Sequence, residues 1–398
     1  MIPLNRVLPL KGAIQHYDWG GYDFIPTLIG QENPAHQPFA ELWMGAHATA
    51  PSIVVTNLQA IPLDQLIEKF PKETLGEKVQ QQFGSRLPFL FKVLDVRKML
   101  SIQAHPSKQQ AEAGFERENK LGIPLHSPQR IYKDANHKPE LMLALTDFWL
   151  LHGFQPLEKI VQLLHTIPAF EALAQHFEQE KSLYQLYKYV MELPQENVNQ
   201  LLQPLYLQLS QERPTDKSKA DFWAWRAFQD TSKDGNYDRG ICSIYFFNLV
   251  HLKPGEAIYQ AAGVPHAYLE GVNVELMANS DNVFRGGLTT KAIAVDELLQ
   301  SLVFESVVPN IITGDKVSAA ECLFPTPAPD FLLTQIALSA GMSFAQSAAA
   351  PQIFLVMEGA VVVNAQPFSK GAVLFVPAQL AYAIQALEKT LIFKATLP

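Results

Sequence analysis

Cysteine is nearly absent: the 398-residue chain carries only Cys242 and Cys322. Neither lies in a C-x-x-C pattern, which argues against a disulfide framework or a thiolate zinc site and leaves two structural thiols. Charge is sparse too. Asp, Glu, Lys and Arg make up 18% of residues, below the ~25% of an average soluble domain. Hydrophobic residues reach 48%, so the composition predicts a large buried core and not a disordered chain. Positive charge is not in excess: net charge is −8, and the basic footprint of a nucleic-acid binder is missing. A protein with this balance that handles an anion must gather its cations locally. No apolar run reaches the ~18 residues of a membrane span. The start, "MIPLNRVLPLKGAIQHYDWG", lacks a basic stretch followed by an apolar run and a small-residue cleavage site. We expect a soluble, cytoplasmic protein of two or three domains with no nucleic-acid or membrane partner, a monomer or weak oligomer.

What is present changes character along the chain. Residues 1–154 hold short apolar runs among Pro and Gly, such as "LPFLFKVLDV" (Leu87–Val96) and "HKPELMLALTDFWLLHGF" (His137–Phe154). These predict strands. "LDQLIEKF" and "PSKQQAEAGFEREN" read as short helices. Over residues 155–235 apolar residues recur at helical spacing: Ile160, Leu163 and Leu164; Leu183, Leu186, Tyr187 and Val190; Val198, Leu201, Leu202 and Leu205. Pro156 and Pro194 stand where helices can start. Four or five helices are expected there, and the aromatic cluster "FWAWRAFQD" reads as core packing. β character returns from "GICSIYFFNLVHLKPGEAIYQAAGVPHAYLEG" (Gly240–Gly271), with a short helix in "TTKAIAVDELLQSL" (Thr289–Leu302) and more strands from Phe331 to Pro398. The expected division is residues 1–154 with 236–310, a helical insertion at 155–235, and a C-terminal β domain at 311–398. The fold class is mainly β with a helical insertion. "LKPGEAIYQAAGVPHAY" and "FSKGAVLFVPAQLAY" share a basic residue, a Gly turn, an apolar strand, Val-Pro and Ala-Tyr, which suggests two copies of one β-barrel unit. The second copy has no counterpart of His266.

In "SIQAHPSK", Gln103 and His105 are two apart, so an extended backbone puts them on one face. Glu140 opens the apolar run "PELMLALT", where a buried carboxylate needs a partner. His266 follows Pro265. Two imidazoles, a carboxylate and an amide oxygen suit a borderline divalent ion such as zinc. Each residue also has an ordinary reading as a solvated or hydrogen-bonded side chain, and spacing alone does not join segments so far apart.

Six stretches in order, "AELWMGAH", "LPFLFKVL", "LSIQAHPSK", "DANHKPEL", "GVPHAYLEG" and "NVFRGGLTTK", together resemble the type I phosphomannose isomerases. The resemblance implies two cupin-type (jelly-roll) β-barrels, the second degenerate, with a helical subdomain. It implies one Zn2+ per chain on Gln103, His105, Glu140 and His266, and an active-site role for Arg285. Lys138, His137, Glu275, Asp281 and Lys291 match positions lining the family's pocket. This chain has Gly286-Gly287 and Thr290 where the family often shows Ala-Gly and Pro. The implied reaction interconverts mannose 6-phosphate and fructose 6-phosphate through an enediol. Arg285 stays protonated and suits oxyanion stabilisation, not proton abstraction. Glu275, His137 or Lys291 are candidates for the base, and Lys108 or Lys291 for the phosphate. Asp281 in "NSDN", Glu270 in "LEG" and both Trp19 and Trp43 also have bland readings as turn or packing residues. Two other functions compete: a cupin that binds without turnover, and a metal-dependent oxygenase, which would keep an open position where Gln103 stands.

Overall fold

The structure is a computed structural model and describes residues 4–56 and 60–398. It is mainly β, with antiparallel sheets and a helical portion. The hub is the long strand His266–Ala278. Its start pairs with Phe148–Phe154 and places His266 opposite Gln103. Its second half lies between Phe89–Val96 and Glu140–Ala144. A bulge between Tyr268 and Glu270 divides the halves, and such a bulge re-aims a strand. Gly271 completes the bend at φ 130°, where a Cβ would meet Asp147 O at 2.7 Å. The strands are apolar on both faces, as their near-continuous runs predict. Phe89, Phe91, Val93, Leu141, Val274 and Leu276 are fully buried. Each contributes about 1.5–3 kcal/mol, so the sheet tolerates a few buried polar residues.

Five α-helices, Leu157–Thr166, Glu171–Glu180, Leu183–Glu192, Gln195–Glu212 and Ala220–Thr231, make up the helical portion. Pro156 and Pro194 cap two of them. Ile160, Leu186, Val190, Leu202 and Trp223 join one core with Phe154, Ala267 and Phe284 of the sheet. The segment Gly240–Phe246, expected as strand, is instead a helix with all seven residues buried. A short run that is apolar on every side carries no period to tell helix from strand.

A nine-stranded sheet carries most of the C-terminal β region. It also takes in the early strand Leu8–Lys11, which lies between Val373–Val376 and Ile53–Val55. The registers of the two β regions can be superposed. Glu140 follows Pro139 and opposes Gln260 at the end of a four-residue strand. Gln352 follows Pro351 and opposes Val376 at the end of another. Met142 opposes Glu275, which opposes Lys92. Phe354 opposes Lys394, which opposes Thr334. One strand further out, Glu41 opposes Leu94 and Glu321 opposes Ile336, each two residues beyond the preceding partner.

Candidate functional site

Three distant segments meet at the start of the long strand. Glu140 Oε1 is 3.3 Å from His105 Nε2, and Glu140 Oε2 is 3.4 Å from His266 Nε2. All three side chains are buried, and their ligating atoms lie within 4.8 Å of one another. Each imidazole is oriented from behind. His105 Nδ1 donates to the Asn282 carbonyl (2.8 Å) and His266 Nδ1 to the Val264 carbonyl (3.0 Å). A proton on Nδ1 leaves each Nε2 lone pair facing Glu140, which is the tautomer a metal requires. His105 Nε2 is buried without a hydrogen-bond partner among the described residues. Burial lowers the His105 pKa to about 4, so the ring is neutral at pH 7. Burial pushes the Glu140 carboxyl up, but the Lys138 ammonium at 3.0 Å leads the opposing charges and holds it well below its usual range. A buried anion with two imidazoles, one of them carrying an orphaned nitrogen, fits a divalent cation. Gln103 stands opposite His266 on one side and opposite Arg285 on the other.

A cavity of about 630 Å³ opens beside this cluster. Gln103 and Lys138 line it and connect it to the buried trio. Lys92, Lys98, Lys138, Lys233, Arg285 and Lys291 line it against four acidic residues. This is the local gathering of positive charge that a chain of net charge −8 needs to hold an anion. The helical portion supplies Asp230 and Thr231.

The expected site residues divide between those in the cavity wall and those outside it. Arg285, Lys138, Asp281 and Lys291 line the cavity. Glu275 lies buried behind it, 3.1 Å from Lys92 Nζ and accepting from the Tyr268 hydroxyl (2.9 Å). Burial pushes the Glu275 carboxyl up. His137 pairs with Asp330 of the C-terminal β region at 2.8 Å and is not in the wall. Lys108 is half-exposed, donates to the Ala135 carbonyl (2.9 Å), and is also outside the wall. Glu270 pairs with Lys217 and Arg226 of the helical portion. Trp19 and Trp43 both border the cavity.

Sequence reasoning missed Lys92, Glu41 and His47. Lys92 is buried between Glu275 and Glu41 (3.3 Å), above the Trp43 ring. Burial disfavours its ammonium, but the carboxylates outweigh burial and raise its pKa. The signal was a lysine inside the apolar run "LFKVL", which cannot be buried without a counter-charge. His47 contacts Asp281 (3.3 Å), and this hydrogen bond is the leading cause of the lowered Asp281 pKa.

Known proteins resemble the chain over most of its length. Residues 7–157 match the family model "Phosphomannose isomerase type I, catalytic domain". The mannose-6-phosphate isomerase of Salmonella typhimurium is 40% identical over 327 residues, 81% of each chain. That of Homo sapiens is 34% identical over 98% of each chain. The Salmonella typhimurium enzyme, solved with its substrate fructose 6-phosphate and zinc, superposes with a TM-score of 0.88 at 34% identity, covering 98% of this chain and 99% of that one. The chain belongs to the type I phosphomannose isomerase family.

Proposed function

We infer that this protein is an aldose–ketose isomerase that interconverts mannose 6-phosphate and fructose 6-phosphate with one zinc ion per chain. The observation that carries the reading is the buried His105–Glu140–His266 cluster beside a cation-rich cavity. These three residues, with Gln103 as fourth donor, would hold the ion. When bound, zinc supplies Lewis-acid polarisation of the substrate's O1 and O2.

The remaining work falls to the chain's own side chains. Arg285 is charged at every relevant pH and lines the cavity, so it stabilises the enediolate oxygens. Lys138 is fixed on Glu140 and presents its charge to the same oxygens. A base must reach the carbon-bound proton. His137 is engaged with Asp330 outside the wall, and Glu275 lies behind it against Lys92. Asp281 meets the access requirement: it lines the cavity, and His47 beside it (3.3 Å) keeps the carboxylate ionised. Lys291 lines this cavity and an adjoining recess of about 340 Å³ with Arg239, which makes it the phosphate partner in preference to Lys108. Asp281→Asn is expected to lower kcat by about 10²–10⁴-fold with KM little changed, read in a coupled assay of fructose 6-phosphate formation from mannose 6-phosphate.

The matching registers of the two β regions support two cupin-type barrels, the second without the metal cluster. The division into 1–154 with 236–310, 155–235 and 311–398 fits this, with Leu8–Lys11 crossing to the C-terminal sheet. Among the described residues no helix is long and apolar enough to cross a membrane, and we place the enzyme in the cytoplasm as a monomer or weak oligomer. The test is fructose 6-phosphate formation from mannose 6-phosphate before chelation, after it, and after zinc is restored. Activity that disappears and returns with zinc is expected. A folded, zinc-loaded protein without activity overturns the reading in favour of a binding module.

A further inference from the structure

We propose that a second cavity, between the C-terminal β region and the helix Glu77–Phe83, binds an uncharged polyhydroxy compound, a free sugar or polyol, without a metal. The cavity measures about 540 Å³. Its polar wall includes Glu321, Gln346, Gln352 and Lys394. Gln352 is only 4% exposed, and its Oε1 has no hydrogen-bond partner among the described residues. An acceptor left unpaired there asks for a donor. Lys394 is buried and donates to Glu321 Oε1 (2.9 Å) and Gln346 Oε1 (3.0 Å). An ammonium has three N–H groups, so one remains. The Tyr382 hydroxyl also donates to Gln346 Oε1 (2.8 Å), which leaves the Gln346 amide nitrogen free to donate. Free donors on Lys394 and Gln346 and an unpaired acceptor on Gln352 therefore line one space, a combination a hydroxyl-rich ligand satisfies.

The charges exclude other classes. Lys394 and Glu321 neutralise each other, so an ionic ligand would upset a buried pair. Lys78 sits exposed at the rim, where water screens it. No His or Cys lines the space and the Glu321 carboxylate is tied to Lys394, so a zinc-type site is missing. Val79, Leu323 and Leu332 supply an apolar wall for the C–H face of a sugar.

The experiment is methyl NMR of the full-length protein, labelled at Leu and Val, titrated with sorbitol and separately with mannose. Saturable shifts are expected at Val79, Leu323 and Leu332, with a Kd of about 1 mM. The methyls of Leu90, Leu100 and Leu288, which line the first cavity, are expected to stay still with sorbitol. Gln352→Leu should weaken binding at least about tenfold and leave isomerase activity unchanged. Gln346→Ala, on an exposed strand, gives the same readout if the buried substitution disturbs folding. Three results overturn the proposal: no saturable shift, shifts confined to the first cavity, or shifts unaffected by both substitutions.

Discussion

The two β regions keep one scaffold and part company at four side chains. Where the first has Glu140, the second has Gln352 in the same register. Aligning Ala267-Tyr268 with Ala381-Tyr382 sets His266 against Leu380. The neighbouring strand then sets Gln103 and His105 against Ala348 and Ala350, since Ala348 N donates to Leu380 O as Gln103 pairs with His266. Every proposed ligand is lost together, and the strands remain. The buried ion pair behaves differently. In the first region a lysine on the middle strand serves Glu41 and Glu275; in the second the lysine has moved one strand over, to Lys394, and still meets the matching glutamate, Glu321. Metal ligands are dispensable to this architecture, whereas a charge once buried in it keeps a partner.

Copying the second region's residue into the first is the severest test of that contrast. Glu140→Gln should release zinc on dialysis and lower kcat/KM by about 10³-fold or more, measured by metal analysis beside the coupled assay; retained zinc would break the comparison. Next come the lysines. Lys92→Met strands Glu41 and Glu275 and should destabilise by about 3–5 kcal/mol, read by urea unfolding. Lys394→Met strands only Glu321, so a smaller loss with kcat intact is expected; equal losses would mean that the pairs do not differ as drawn.

Acid separates the regions again, because Ala350 and Leu380 cannot titrate. His105 has its folded pKa lowered from 6.5 to about 4, so below pH 6.5 the unfolded chain binds the proton first. Its contribution is complete above pH 6.5 and is lost as pH falls to about 4, at most about 3 kcal/mol. Glu140, also held low, adds its loss only below the ordinary carboxylate range. Metal-free protein should therefore lose stability between pH 6.5 and 4.5, and a flat profile there would refute it. Smallest is the thiol contrast. Burial pushes the Cys242 thiol up to about 12, while Cys322 is partly exposed. One thiol per chain should react with an aromatic disulfide reagent at pH 8, and Cys322→Ser should abolish that reaction.

The sequence made the proposed ligands visible one at a time. His105, Glu140 and His266 each adjoin a proline and Gln103 stands two residues from His105, but the pairing of Gln103 with His266 belongs to sheet register, which no local spacing encodes. Lys92 could have been noticed, since "LFKVL" and "LIFKATL" each set a lysine in an apolar strand. Its carboxylate partners lie 51 and 183 residues away in sequence and are brought near only by folding. "GICSIYF" was misjudged for the reason that makes it stable, its burial on all sides.

The strand Leu8–Lys11 has a consequence for biosynthesis. One of its two edges pairs with Val373–Val376, more than three hundred residues later in the sequence. During translation that edge stays open while more than three hundred residues are added, exposing unpaired backbone groups to stray strands. Closing so long a loop is also slow. A nascent chain arrested before Val373 would present this edge to chaperones, and pairing with Val373–Val376 retires it.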